Sequence, residues 1–345
     1  MTLKPLHILC LVAAAAALMA CHPYDEFEND AFGNFDALWT ALDEHYCFFG
    51  YKDVDWDEVG QRYRAQVLDE MSSTELFDVC AQMLEELQDG HVNLISSWNV
   101  SHYWLWENYP QNYDERLINE YYLNFDYMTA SGIKYQILSN NYGYMQYASF
   151  SDAIGEGNLD NVLSYLAASD GLIIDVRDNG GGYLSNVEKL VARFITEDLY
   201  AGSISHKTGP GHDDFSTPYD YYFEPAESSR IKYLKPVVIL TNRSSFSATN
   251  NFVSIMQYLP RVKIVGDSTG GGSGLPFTSE IPIGWTVRFS ACSILDASGQ
   301  ETEFGVAPSE GYKVDMDTQD ALEGRDTILE TAFSALEEMI ADYAS

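Results

Sequence analysis

The sequence predicts an α/β fold, because short apolar runs alternate with helical patterns through its second half. Leu172–Val176 (LIIDV) and Pro236–Leu240 (PVVIL) are nearly continuous apolar runs, typical of strands covered on both faces. Residues 184–194 repeat apolar side chains at helical spacing, and a helical stretch from about Ser247 precedes a further strand, Val262–Val265. This alternation predicts βαβ units and a sheet with a mostly parallel core.

The N-terminal part predicts a small helical unit. Phe35, Leu38 and Leu42 recur at helical spacing, and polar residues at Asp55 and Ser73 are placed to begin two further helices. We therefore expect a helical domain over residues 35–90 and an α/β core over residues 91–345. Within that core, residues 277–290 predict a β-hairpin with Gly284 in its turn, and residues 201–229 predict a long loop.

Composition limits the function. The 345 residues are 46% hydrophobic, enough for a substantial core, and carry a formal net charge of −33. Such a charge repels nucleic-acid phosphates and anionic lipid headgroups, so we expect no nucleic-acid partner. No spacing of His, Cys, Asp and Glu matches a metal site. The segment between His206 and His212 is predicted to be a solvated loop, so we expect no metal and no cofactor.

The first residues predict export. Residues 1–20 carry one lysine and a short apolar run, typical of a signal peptide, and Leu18–Cys21 resembles a bacterial lipobox. Lipidation of Cys21 would leave a domain anchored to a membrane through residues 21–34, an acidic tether. We expect an envelope lipoprotein of a Gram-negative bacterium, facing the periplasm or the surface. The alternative is an ordinary cleaved signal with Cys21 incidental.

Three other cysteines, Cys47, Cys80 and Cys292, are predicted to be buried small hydrophobes. A Cys47–Cys80 disulfide remains open from the sequence.

The run ILTNRSSFSATN, residues 239–250, places Ser244, Ser245 and Ser247 where a strand gives way to a helix. A serine there caps the helix or acts as a nucleophile at a sharp turn.

Two other turns carry chemistry. His91 follows Gly90 past a helix and is a candidate base, and Gly180–Gly182 at the end of LIIDV exposes backbone N–H groups suited to an oxyanion. A nucleophile, a base and an oxyanion donor are the minimum for acyl transfer.

Five motifs resemble the tail-specific, or C-terminal processing, serine peptidases and the related core of the tricorn protease. The resemblance runs from about Phe35 to Pro308. Its motifs are the Asp55-Trp56-Asp57 helix start, Leu87–Val92 (LQDGHV), the Asp-x-Arg-x-Asn-Gly-Gly-Gly turn at 175–182, the serine-rich turn and the Gly266–Gly270 turn.

The resemblance implies roles for single residues. Counting back from Gly266, the family nucleophile falls on Ser247, and the lysine base of the bacterial tail-specific branch falls on Gly272, so the Ser-Lys pair is absent. The tricorn-like branch uses a Ser-His-Glu relay, which implies His91 as base. Its carboxylate falls on Glu303, with Glu301 in reserve. Gly181 and Ala248 N–H groups would bind the oxyanion.

The resemblance also implies a crotonase-like ββα core and a serine endopeptidase acting on extended polypeptides. About fifty residues separate His91 from the strand at Tyr142, too few for the PDZ domain that many relatives insert, so we expect none. Two alternatives remain: a catalytically decayed peptide-binding lipoprotein on the same scaffold, and a hydrolase of small esters or amides.

Overall fold

A computed structural model describes residues 27–344 and divides the chain into two compact units. The first contains residues up to Asn108 together with Gly202–Tyr221 and Gly274–Leu295, and the second contains the remaining segments. The predicted signal peptide, the predicted lipidation site at Cys21 and most of the predicted tether lie outside the described residues. The units differ from the predicted helical domain and core, since the first unit recruits two segments from beyond residue 200.

Four helices begin the first unit, and polar caps set where three of them start. They are α1 Ala31–His45, α2 Phe49–Lys52, α3 Trp56–Arg64 and α4 Ser73–Glu85. Asp30 accepts the Gly33 N–H at 2.7 Å, Asp55 caps α3 in the same way, and Ser72 caps α4 through a reciprocal pair with Glu75. Because Asp30 starts α1 at Ala31, the tether ends before residue 34, where it was predicted to end.

An antiparallel sheet lies mostly in the first unit. Its strands are β1 Asn93–Ile95, β6 Leu199–His206, β7 Tyr219–Phe223, β10 Leu275–Glu280 and β11 Thr286–Leu295. The order is β1-β11-β6-β7, and β10 also pairs with β11. The predicted hairpin is confirmed, with Gly284 in its turn at φ +86°. The predicted loop over 201–229 is wrong, because most of β6 and all of β7 lie there.

The cysteines lie in this unit's core. Cys47, Cys80 and Cys292 are all buried, as predicted, and Cys80 is a thiol rather than half of a disulfide. Burial raises the pKa of Cys80 and Cys292 to about 12, so both stay neutral and pack as small hydrophobes.

The second unit carries the predicted α/β sheet. Its strands are β2 Met128–Ala130, β3 Ile133–Ile137, β4 Gly143–Tyr147, β5 Leu172–Asp175, β8 Val237–Thr241 and β9 Val262–Gly266. They lie in that order; β4, β5, β8 and β9 are parallel, and β2 and β3 extend the sheet antiparallel. The parallel strands are almost wholly buried, as their apolar runs predicted.

Helices connect and cover these strands. They are α5 Glu115–Leu117, α6 Glu156–Leu166, α7 Leu184–Val191, α8 Ala248–Met256, α9 Thr318–Leu322 and α10 Thr327–Ala344, with a π-helical turn at Ile118–Tyr122. The buried face of α10, which includes Leu329 and Leu336, packs on β5, β8 and β9 side chains such as Ile173 and Val238. Because β5 and β8 pair in parallel, the turns that follow them meet at one edge of the sheet.

A buried ionic cluster lies just past β5. Arg177 donates to both Asp175 oxygens, at 2.9 and 2.6 Å, and to both Asp326 oxygens, at 3.1 and 2.9 Å, and all three side chains are fully buried. Tyr144 donates to Asp175 at 2.8 Å. The two carboxylates outweigh burial and hold the pKa of Arg177 well above its usual range. The cluster ties β5 to the start of α10.

Within residues 27–344, no helix is both long enough and apolar enough to cross a bilayer, and no group of three or more His, Cys, Asp or Glu is arranged to hold a metal ion.

Replacing Arg177 by methionine should lower the free energy of unfolding by roughly 3–5 kcal/mol, because two buried carboxylates lose their only shared cation. Urea denaturation followed by circular dichroism measures this. Arg325→Met is the matched control, since it removes an exposed pair with Asp320 on the same unit. Equal midpoints for the two variants would contradict a structural role for the cluster.

Candidate active site

Ser247 lies at a sharp turn between β8 and α8. Its backbone has φ 59° and ψ −119°, a conformation that favours glycine, and its N–H donates to the Gly271 carbonyl at 2.9 Å. Ser247 occupies the position before the first residue of α8, yet its side chain makes no capping hydrogen bond. The capping alternative therefore fails, and a strained serine at a helix start remains.

The neighbouring serines have structural roles. Ser245 is fully buried; its Oγ donates to the Val176 carbonyl at 2.8 Å and accepts the Asn242 N–H at 3.1 Å. The Ser244 N–H donates to the Asn242 side chain at 3.2 Å. Ser247 is only half-buried, which leaves it accessible.

The glycine turn after β5 lies directly against Ser247. Gly181 has φ +98°, and a Cβ there would lie 2.7 Å from the Phe246 oxygen and 2.8 Å from the Ser247 Cβ. A side chain at this position would displace the nucleophile turn, so the close approach requires glycine.

Asn179 holds the two turns together. Its carbonyl accepts the Phe246 N–H at 3.0 Å, its Nδ2 donates to the Tyr147 carbonyl at 2.7 Å, and its Oδ1 accepts the Gly181 N–H at 3.0 Å. The Gly181 N–H, which the sequence predicts to be an oxyanion donor, therefore already donates a hydrogen bond within its own turn. The Ala248 N–H, at the first position of α8, has no partner among the described residues and is oriented by the helix start.

Phe246 fills the position where the family lysine would stand. Gly272 has φ +77°, and a Cβ there would lie 2.5 Å from two atoms of the Phe246 ring. The ring and the positive φ together exclude a lysine side chain from this position. The Phe246 ring, one residue before Ser247, thus occupies the space that the lysine of a Ser-Lys pair would need.

Glu303 lies beside the same turn. It is 5% exposed, its Oε2 accepts the Ser273 N–H at 2.9 Å, and its carbonyl accepts the Gly272 N–H at 3.1 Å. The reserve candidate, Glu301, accepts the Ser273 hydroxyl at 3.0 Å. Both carboxylates therefore hold Ser273, and Glu303 is the more buried of the two.

Sequence reasoning missed Asn250, which joins three parts of this region. Its Nδ2 donates to Thr302 at 3.1 Å and its Oδ1 accepts the Thr269 hydroxyl at 2.6 Å. Thr269 in turn accepts the Val306 N–H at 2.6 Å. Asn250 follows Ser247 by three residues, and an amide on the apolar side of a helix was the available signal.

His91 belongs to the first unit and lies in the turn after α4. It is 2% exposed, and its N–H donates to Asp89 Oδ1 at 2.7 Å. Burial lowers the pKa of His91 to about 4; Asp89 opposes this shift, while Arg288 and Lys52 add to it. His91 is therefore neutral, and able to accept a proton, at any pH well above 4.

Asp89 fixes this turn. Its Oδ2 accepts the Tyr46 hydroxyl at 2.8 Å and lies 3.5 Å from Lys52 Nζ, and both charged groups are buried. Burial alone would raise the pKa of Asp89, but Lys52 and His91 bring it below its usual value. Asp89 is thus a buried anion that orients the His91 backbone.

The backbone strain at Ser247 is measurable. Ser247→Gly should be more stable than Ser247→Ala by about 1 kcal/mol, because glycine adopts this φ freely even though its unfolded chain gains entropy. Both variants lack the hydroxyl, so their comparison isolates the backbone. A more stable alanine variant in urea denaturation would mean that Ser247 is unstrained.

Gly272→Ala should destabilise the protein by more than 1 kcal/mol beyond its control, Gly299→Ala. Both glycines have φ near +80°, but only Gly272 faces the Phe246 ring, and nothing lies within 4 Å of a Cβ at Gly299. Equal losses in thermal denaturation would show that Phe246 moves aside and that a longer side chain fits.

Comparison with known proteins places these residues in a family. A model described as peptidase family S41 matches residues 141–311, which include Ser247, Gly181 and Glu303. A model described as the tricorn protease C1 domain matches residues 27–85. His91 lies between the two matched segments.

Three proteins illustrate the similarity. The crystal structure of a presumed peptidase from Parabacteroides merdae ATCC 43184 is 48% identical, covers 90% of this chain and 97% of its own, and superposes with a TM-score of 0.84. Carboxy-terminal processing protease CtpB of Bacillus subtilis is 25% identical over 205 residues, covering 54% of this chain and 40% of CtpB. Mature CPAF, at 12% identity and a TM-score of 0.69 over 92% of this chain and 98% of its own, shares the fold.

The chain therefore matches less than half of the length of CtpB but nearly all of the Parabacteroides structure. Together with the strained serine turn and its glycine neighbour, these matches show that the chain belongs to peptidase family S41.

Proposed function

We propose that this protein is a serine endopeptidase of the C-terminal processing, tricorn-core-like type, which hydrolyses peptide bonds in extended polypeptides. The observation that carries the proposal is the conformation of Ser247, a strained, accessible serine at the start of α8 with Gly181 packed against its Cβ. A structural serine would gain nothing from that strain, whereas a nucleophile gains exposure and a helix N-terminus.

In this proposal His91 accepts the proton of Ser247 as the hydroxyl attacks the peptide carbonyl, and then returns it to the leaving amine. The neutral state of His91 supports the role of base. Glu303 would keep the imidazole in the required tautomer, directly or through another polar group. Assigning His91 to the base rests on the family resemblance.

The Ala248 N–H supplies the first oxyanion donor. For Gly181 to be the second, its N–H must exchange Asn179 Oδ1 for the oxyanion or share itself between them. Loss of one such donor typically costs roughly 100- to 1000-fold in rate.

The finer fold and the location belong to the same proposal. We assign the second unit to the crotonase-like ββα type, which the parallel β4-β5-β8-β9 order supports. We also retain an envelope lipoprotein anchored through Cys21, which residues 18–21 support, with polypeptide as the partner.

A fluorophosphonate probe tests the nucleophile. The full chain should gain one probe mass by intact mass spectrometry, Ser247→Ala should gain none, and His91→Ala should react at least about 100-fold more slowly. Ser244→Ala and His102→Ala are matched controls and should react like the wild type. If the wild type stays as inert as Ser247→Ala, the relay has decayed and the peptide-binding alternative takes its place.

The pH dependence tests the base. The labelling rate should fall as the pH drops through the pKa of His91, about 4, rather than through the ordinary histidine value near 6.5. The sign follows because only neutral imidazole accepts the proton of Ser247. An acid limb near 6.5 would mean that another group is the base.

A substrate panel separates the two enzyme readings. Wild-type protein should cleave reduced, carboxymethylated casein, and Ser247→Ala should not. If the wild type hydrolyses short-chain nitrophenyl esters but leaves casein uncleaved, the result favours the small-ester hydrolase.

A further inference from the structure

A cavity of about 910 Å³ opens in the second unit where β4 and β5 end. Its floor contains Tyr113, Gln146 and Arg177, which are 7%, 6% and 1% exposed. Its rim includes four carboxylates, from Asp114, Glu115, Asp178 and Asp315, and one exposed cation, Arg116. The proposed mechanism makes no use of these groups.

The charges of the cavity favour a cationic occupant. Arg177 is the only cation of the floor, and two buried carboxylates, Asp175 and Asp326, hold it, so this cluster carries a net charge of one minus two, which is −1. On the rim, Lys134 pairs with Glu115 at 2.5 Å and offsets its charge, which leaves the carboxylates of Asp114, Asp178 and Asp315 against one positive charge, that of Arg116. A free carboxylate would enter against this field, whereas an ammonium or guanidinium group would gain from it.

The floor also presents an unused acceptor. Gln146 is more than nine-tenths buried, and its Nε2 donates to the Tyr113 hydroxyl at 2.5 Å. Among the described residues no hydrogen bond takes up Gln146 Oε1, although the side chain lines the cavity. Gln146 Oε1 reaches the cavity rather than being sealed off from it, so it is available to accept a hydrogen bond from a ligand N–H.

The cavity lies within reach of the nucleophile along one turn. Asp178 on the rim precedes Gly181 by three residues, which span at most roughly 11 Å when extended. A Cβ on Gly181 would lie 2.8 Å from the Ser247 Cβ. The path from Asp178 to Ser247 therefore corresponds to about three or four residues of an extended peptide.

We propose that this cavity binds a lysine or arginine side chain of the polypeptide substrate, within about four residues of the bond that Ser247 attacks. The inference rests on the proposed function and names its substrate class. The cation would lie between the Asp178 and Asp315 carboxylates and donate to Gln146 Oε1, while its aliphatic stem would pack on the Tyr113 ring.

Cleavage-site mapping tests the inference. Digests of reduced, carboxymethylated casein by the full chain, sequenced by mass spectrometry, should show lysine or arginine enriched at one fixed position within four residues of the cut. In synthetic peptides, lysine at that position should give about tenfold higher kcat/KM than norleucine.

The double variant Asp178→Asn/Asp315→Asn should reduce this preference to threefold or less. Asparagine at 178 tolerates the φ of +55° there and keeps an oxygen for Asn242 Nδ2, so the turn is preserved. Glu337→Gln removes an exposed charge on α10, away from the cavity, and should leave the preference unchanged. Equal cleavage of lysine and norleucine peptides, or a preference that survives the double variant, overturns the proposal.

Direct binding separates failure of the cavity from failure of the proposed function. Fluorescein-labelled peptides carrying lysine or norleucine, blocked at both ends, are titrated against full-chain Ser247→Ala, which needs no catalysis. A lysine preference that the double variant abolishes supports the cavity even if fluorophosphonate labelling fails. Tighter binding of glutamate peptides or of free C-termini would assign the cavity to anions and overturn the inference.

Discussion

The parallel pairing of β5 with β8 positions the two turns that carry Gly181 and Ser247. The register of the two strands sets Asp175 opposite Leu240, and the next N–H, from Val176, donates to the Leu240 carbonyl at 3.1 Å. The two chains must then turn within a few residues of each other. Gly181 and Ser247 can approach only because one has no side chain and the other accepts a positive φ. Asn179 supplies the hydrogen bonds that make this approach a single arrangement, since its three polar groups bond the end of β4, the turn at Phe246 and Gly181 of its own turn.

Local patterns made much of this arrangement predictable. The apolar runs of β5 and β8 identify buried strands, and the serines and glycines at their ends identify the turns, because period and turn chemistry are local properties. The strands β6 and β7 were not predictable in the same way. The glycines, prolines and aspartates of residues 201–229 suggest a loop. The strand character of β6 comes from pairing with β11, some ninety residues further along the chain, and β7 adds to the edge that β6 presents. The two compact units differ from the predicted domains for the same reason, because the boundaries of the units depend on contacts distant in sequence.

Orientation is a second property that the sequence does not contain. The sequence predicts that the glycine turn offers N–H groups to an oxyanion, but which N–H is available depends on the Asn179 rotamer, which directs Oδ1 to the Gly181 N–H. The place of the absent lysine shows the same limit. Counting residues located Gly272, whereas the occupation of that space by Phe246 follows only from the backbone path. A motif therefore identifies the residues of a site, whereas packing decides which of their atoms can contact a substrate.

The buried charges of the two units serve different ends. In the second unit the Arg177 cluster is overcompensated by carboxylates, which stabilises the strand end and leaves a negative floor beneath an acidic rim. In the first unit the balance is reversed around His91, where Lys52 and Arg288 face a single carboxylate, Asp89. Burial disfavours imidazolium more than Asp89 favours it, and Arg288 and Lys52 add to the effect of burial, so the pKa of His91 falls to about 4 and the side chain stays a neutral acceptor above that pH. A base with so low a pKa is weak, and its proton transfer gains from a stabilised oxyanion. This dependence makes the Ala248 N–H and the Asn179–Gly181 turn more important to the proposed chemistry than they are in a Ser-Lys enzyme.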